Sequence, residues 1–175
     1  MKFITTKLSG AIFIELEPIF DERGFFARNY CVKEFAEKKL KMSIVQCNIS
    51  RNNKKGTLRG MHFQTASPEM KLVSCMKGSI YDVIIDLRPD SSTYCQWIAR
   101  ELSEDNFRQI FIPEGFAHGF QTLTDDSIVF YQMSEFYNPA GASGVRWNDQ
   151  IFKINWPLGN PIISERDNSF SDYRK

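Results

Sequence analysis

Arg108-Gln109-Ile110-Phe111-Ile112-Pro113-Glu114-Gly115-Phe116-Ala117-His118-Gly119-Phe120 is an apolar run, a turn, and a second apolar run that carries a histidine beside a glycine. Pro113 presets φ for a turn and Gly115 permits a positive φ, so the chain reverses sharply between the two runs. The 175 residues hold only one other histidine, His62. It lies in Gly56-Thr57-Leu58-Arg59-Gly60-Met61-His62-Phe63-Gln64, again a short β-like run between turn residues. Two strand–turn–histidine units point to an all-β fold, a barrel whose interior carries both imidazoles.

Outward from that stretch the same pattern repeats. Residues 1–20 alternate weakly and read as one or two strands, closed by the charged turn Asp21-Glu22-Arg23-Gly24, with Phe25 to Tyr30 a strand or its end. Val32, Phe35, Ala36 and Leu40 recur at helical spacing, which predicts one short amphipathic helix over 31–40. Ile44 to Ser50 alternates, with Gln46, Asn48 and Ser50 on one face; periodicity alone favours a solvated face over a polar barrel floor. Arg51 to Lys55 reads as a hairpin connection. Strands are expected over 58–64, 71–76, 81–87, 95–102 and 127–133. In 81–87, Tyr81, Val83, Ile85 and Leu87 share one face, and Asp82, Ile84 and Asp86 the other. Asn138 to Gly144 is a long turn and Ser164 to Ser169 a polar tail. Short strands between Gly/Pro turns at roughly ten-residue intervals are the mark of a sandwich or closed barrel. No linker or repeat divides the chain, so residues 1–175 are expected to form one domain.

Composition bounds the function classes. Hydrophobic residues make up 42% of the chain, enough for a core. Twenty-two basic against 21 acidic residues leave +1, so no global charge steers the chain to nucleic acid or a membrane surface. No run approaches a transmembrane length and no secretory signal is visible, so a cytoplasmic location is expected. Cys31, Cys47, Cys75 and Cys95 form no CxxC pair or zinc pattern and read as buried thiols in a reducing compartment.

On spacing alone, His62 and His118 read equally as core residues or as proton-transfer groups. In the second case Tyr131, set mid-strand in an apolar run, is a candidate counter-acid, and Lys71 or Arg59 a candidate anion stabiliser.

The motifs are more specific than the spacing. Leu58-Arg59-Gly60-Met61-His62-Phe63-Gln64, Lys71-Leu72-Val73 and Ile112 to Phe120 closely resemble the dTDP-4-dehydrorhamnose 3,5-epimerase family. So do Asp21 to Phe26, Gln46 to Ser50, Trp147-Asn148-Asp149 and Ser164-Glu165-Arg166-Asp167, in order from about residue 20 to 167. The resemblance implies an all-β, cupin-type jelly-roll barrel with one or more short helices. It implies a homodimer with strands exchanged between subunits, and a substrate that is a nucleotide-linked 4-keto-6-deoxyhexose. Protons on C3 and C5 flank the C4 ketone, so removal of either gives an enolate. By resemblance His62 is the base, Asp167 orients it, Lys71 faces the enolate oxygen, and Tyr131 is the acid on the opposite face. Arg59 and His118 match contacts to the diphosphate or sugar. Arg23, Phe26, Arg28, Gln46, Asn48, Tyr137 and Arg166 match positions around the nucleotide or sugar, which moves Gln46 and Asn48 to the barrel interior. Cupin barrels often hold a metal on two histidines at i and i+2; Gln64 occupies the second position here, so no metal and no cofactor are expected.

The chain departs from the family pattern at three places. Ala27 and Arg28 stand where a phenylalanine and a glutamate are usual, Ala142 where a second glutamate is usual, and Phe136-Tyr137 replaces a tyrosine pair. These changes sit on the nucleotide side and are expected to alter the base or phosphate pattern bound, with dTDP the default and CDP or GDP the alternatives. Two other functions fit part of the pattern: a nucleotide-sugar 3,4-ketoisomerase, and a non-catalytic sugar-binding cupin. The Arg-Gly-x-His motif with a distal tyrosine fits the epimerases better than the first. The joint presence of His62, Lys71, Tyr131 and Asp167 argues against the second.

Overall fold

The computed structural model describes residues 1–174. In chain order its strands begin with β1 (Lys2–Thr5), β2 (Ile12–Glu15), β3 (Ile19–Asp21) and β4 (Gly24–Phe26), followed by the helix α1 (Val32–Glu37). Then come β5 (Gln46–Asn52), β6 (Thr57–Gln64), β7 (Lys71–Lys77), β8 (Ser79–Asp86) and β9 (Trp97–Ser103). The predicted turn at Pro113-Glu114-Gly115 joins β10 (Arg108–Ile112) to β11 (Phe116–Thr122), with Gly115 at φ +77°. β12 (Ser127–Met133), β13 (Ala142–Gly144), β14 (Ile162–Ile163) and the one-turn helix α2 (Glu165–Asn168) complete the chain.

Two sheets face one another. The first runs β1-β2-β10-β7-β12-β5 and the second β13-β6-β11-β8-β9, with β14 added in parallel to β6. Val73, Ile110 and Val129 of the first sheet pack against Ile80, Ile84 and Phe120 of the second, which gives the jelly roll. Alternation along each strand builds this core. Ile110 and Ile112 point inward, while Phe111 points out to Phe35 of α1, Ile14 and Leu72. The outer face of the second sheet is covered as well: Val83 and Ile85 meet Phe152 and Val145, with Trp156 alongside. Both faces of β8 are therefore buried, and Asp82 and Asp86 lie on the core-facing side.

Several sequence expectations are corrected. The helix spans 32–37 rather than 31–40, because Leu40 turns back to bond Phe35 and packs beside α1 instead of extending it. β5 continues through Arg51 and Asn52, which pair with Ile128 and Ser127, so the connection starts later. The strand predicted from Cys95 begins at Trp97, since Cys95 has φ +60°. The polar tail forms α2, capped by Ser164, whose hydroxyl accepts from the Asp167 amide at 3.1 Å. Of the four free thiols only Cys75 is buried; Cys47 is exposed because Gln46 and Asn48 take the inward positions of β5.

Candidate active site

The register of the first sheet places a polar patch on its inner face. Gln46 of β5 pairs with Met133 of β12, which pairs with Lys71 of β7; one row on, Asn48 pairs with Tyr131, which pairs with Val73. Residues two apart on a strand share a face, so Gln46, Asn48, Tyr131 and Lys71 project together. Opposite them, His62 of β6 pairs directly with His118 of β11.

A bulge sets the aim of His62. Between the pairs Arg59–Phe120 and His62–His118, β6 has one residue more than β11. The extra residue turns Met61 outward to Val83 and Ile85 and brings both Arg59 and His62 to the inner face. Glycines make it possible: Gly60 has φ +134°, and a Cβ there would stand 2.6 Å from the Gly119 Cα of the neighbouring strand.

Each histidine is tied to a carboxylate. His62 Nε2 lies 2.8 Å from Asp167 Oδ1, and Asp167 Oδ2 accepts from the Gly60 amide at 3.1 Å. Burial pushes the Asp167 carboxyl up, but the His62 hydrogen bond, the His62 charge and the Gly60 amide outweigh it and hold the group below its ordinary range. The Phe170 and His62 rings meet in a T-shaped contact, with centroids 5.9 Å apart. His118 Nε2 lies 2.7 Å from Asp82 Oδ2. Burial pushes the Asp82 carboxyl up against the pull of His118 and Lys71. Lys71 Nζ pairs with Glu69 Oε1 at 2.9 Å, both side chains nearly buried. Burial raises the Tyr131 phenol above its ordinary pKa; Arg59 opposes the shift and Glu69 adds to it.

A cleft opens over these groups in two lobes that share His62, Lys71 and Tyr131. The first, about 280 Å³, is lined also by Gln46, Asn48, Glu69, Tyr137 and Arg166. The second, about 420 Å³, is lined also by Arg51, Arg59 and His118. The structure thus gathers most residues singled out in the sequence, with Asp167 behind His62. It leaves three outside the cleft. Arg23 and Phe26 lie on the exposed β3–β4 hairpin, and the Arg28 guanidinium bonds Glu34 at 2.6 Å. Sequence reasoning missed Glu69, Asp82 and Phe170. Only Asp82 left a signal, a carboxylate sharing a strand face with a core isoleucine. Among the described residues no three His, Cys, Asp or Glu side chains cluster as a metal site.

The family model for dTDP-4-dehydrorhamnose 3,5-epimerase matches residues 5–175. The chain belongs to this family. It is 45% identical to the dTDP-4-dehydrorhamnose 3,5-epimerase of Methanothermobacter thermautotrophicus, over 99% of this chain and 95% of the relative. The epimerase of Bacillus anthracis, solved with TDP and PPi bound, superposes with a TM-score of 0.96 at 43% identity, covering 98% of this chain and 99% of that one. That of Legionella pneumophila, solved in complex with dTDP-4-keto-L-rhamnose, gives 0.93 at 36% identity, covering 98% and 92%. The cupin-type jelly roll is the fold of these epimerases, and the chain is an enzyme of the isomerase class. The two sheets supply ionisable side chains from opposite sides of one cleft, His62 from one and Lys71 and Tyr131 from the other. No helix among the described residues is long and apolar enough to cross a membrane.

Proposed function

We propose that this epimerase inverts C3 and C5 of a nucleotide-linked 4-keto-6-deoxyhexose by way of an enolate. The observation that carries the reading is the cleft itself: its two lobes meet at His62, which comes from one sheet, and at Lys71 and Tyr131, which come from the other. The Asp167 carboxylate accepts from His62 Nε2, leaving Nδ1 as the free nitrogen to take the proton from carbon. Lys71 faces the oxygen on which charge develops. Tyr131 returns a proton from the far side, which inverts the centre; burial keeps its phenol protonated for that step.

The nucleotide is dTDP by default, as in the relatives solved with TDP and dTDP-sugar. Arg59 makes the second lobe suited to the diphosphate, while Arg51 at its rim is paired with Asp126. Arg28 bonds Glu34 and stays out of the cleft, so of the nucleotide-side departures only Ala142 and Tyr137 line it. The β3–β4 hairpin exposes Ile19, Phe20, Phe25 and Phe26, an apolar surface suited to a homodimer with exchanged strands; Arg23 and Phe26 would then serve the partner's cleft. The chain acts as one domain, needs no metal or cofactor, and works in the cytoplasm, where its unpaired thiols stay reduced.

Turnover of dTDP-4-keto-6-deoxyglucose by the wild type and by His62→Asn tests the reading. Loss of turnover by at least about 10²-fold in the variant supports it. Equal turnover, or retained sugar binding with no turnover in the wild type, overturns it. Affinities for dTDP, CDP and GDP decide the nucleotide.

A further inference from the structure

Glu69 sits in the loop before β7, with its side chain all but sealed from solvent, and yet it lines the first lobe of the cleft. One carboxylate oxygen, Oε1, holds Lys71 Nζ at 2.9 Å. The other, Oε2, is buried and has no hydrogen-bond partner among the described residues. A second buried acceptor in the same lobe, Gln64 Oε1, is likewise without a partner. Buried polar atoms left unpaired are uncommon, because each forfeits its hydration. A carboxylate only accepts, so what completes Glu69 is a donor brought by the ligand.

The position narrows the donor. Under the epimerase reading, on which this inference rests, Lys71 faces the oxygen at C4. Glu69 grips the same ammonium, so its free oxygen lies beside the place of the C4 oxygen. The donor group next to that oxygen on the sugar is the hydroxyl at C3. We propose that Glu69 is a specificity-determining residue: its free oxygen accepts the C3 hydroxyl of the bound hexose, while its other oxygen fixes Lys71. The carboxylate therefore selects sugars that carry a hydroxyl beside the ketone. A hydrogen bond to a charged acceptor is worth about 10- to 100-fold in binding or rate. Glu69 also lies close enough to Tyr131 for its charge to add to the upward shift of the phenol, behind the larger effect of burial.

The test is a cycle between the residue and the hydroxyl. Deuterium exchange at C5 is measured by NMR for dTDP-4-keto-6-deoxyglucose and its 3-deoxy analogue, with wild type and with Glu69→Gln, which keeps the length and an oxygen for Lys71. The wild type is expected to prefer the parent sugar about 10- to 100-fold in kcat/KM, and the variant to lose at least about fivefold of that preference. Affinity for dTDP alone is expected to be unchanged in the variant. The inference is overturned by a wild type indifferent to the 3-hydroxyl, which needs no variant to observe. It is overturned as well by a preference equal in both proteins, or by weakened dTDP binding that accounts for the whole effect. If the wild type fails to exchange the parent sugar, the epimerase reading itself falls, and this inference with it.

Discussion

Replacing Asp167 by Asn changes one atom of a nearly buried side chain and alters the tautomer of the base. Asp167 now offers two acceptors, Oδ1 to His62 Nε2 at 2.8 Å and Oδ2 to the Gly60 amide at 3.1 Å. An asparagine has one acceptor and one NH₂. If its oxygen keeps the Gly60 amide, its NH₂ faces His62 Nε2. That nitrogen must then accept, which moves the ring proton to Nδ1 and turns the base into a donor. If the amide flips, NH₂ meets the Gly60 N–H, and a buried donor is left unpaired at about 1–3 kcal/mol. The first arrangement avoids that cost, so the variant folds but holds the wrong tautomer. General-base catalysis by one positioned group contributes about 10²–10⁴-fold, and a fall in kcat of that size is expected, with KM little changed. The assay is solvent deuterium uptake into the sugar, read by NMR, alongside thermal unfolding to show that the fold is retained. A folded Asp167→Asn protein within about threefold of wild-type kcat would refute the argument that Asp167 sets the state of His62.

Three further outcomes follow from the geometry. Tyr131→Phe removes the acid but keeps the packing; turnover to the inverted product is expected to fall at least about 10²-fold, and because burial raises the phenol above its ordinary value, the wild-type rate should hold beyond the pH at which an exposed tyrosine ionises, near 10. Asp86, in a bonded cluster with Arg88, Ser91 and Thr93, has a carboxyl that burial raises but these partners pull down to about 2. A folded pKa below the unfolded one stabilises above the unfolded value and loses that stabilisation as pH falls, here between about 4 and 2, so the roughly 2 kcal/mol advantage over Asp86→Asn at pH 7 should shrink toward pH 2 in denaturant titrations. Gly60→Ala puts a methyl against the Gly119 backbone at a positive φ and is expected to cost about 2–4 kcal/mol in the same titrations and to misaim His62.

How much of this was written in the sequence varies by element. The turn at Pro113-Glu114-Gly115 was legible because proline and glycine fix its backbone locally. Strands such as β8 and β12 were legible because one alternating face carries branched apolar residues. Gln46 and Asn48 were ambiguous: period two says that they share a face with Ser50, but not which face is inside. The edge position of β5 defeats the usual cue, for its outward face carries Cys47 and the exposed Ile49. The motif resemblance resolved what periodicity did not. Asp167 lies in a polar tail with no apolar period, although Ser164-x-x-Asp167 has the spacing of a capped helix start. The bulge at Gly60 and the pairing of His118 with Asp82 were out of reach, since each depends on the register between strands distant in sequence. Glu69 gave no local sign because a loop carboxylate two residues from a lysine is ordinary until both are buried in one cleft.

The proposed role of His62 and Tyr131 is to move protons at the carbons flanking a ketone. It is tested most directly by incubating the protein with dTDP-4-keto-6-deoxyglucose in D₂O and reading C3 and C5 by NMR. Deuterium is expected at both carbons, and its loss in His62→Asn. Deuterium at one carbon alone would contradict the two-centre reading. No deuterium at either, with the CDP and GDP sugars equally inert, would contradict the assignment of proton transfer to this cleft.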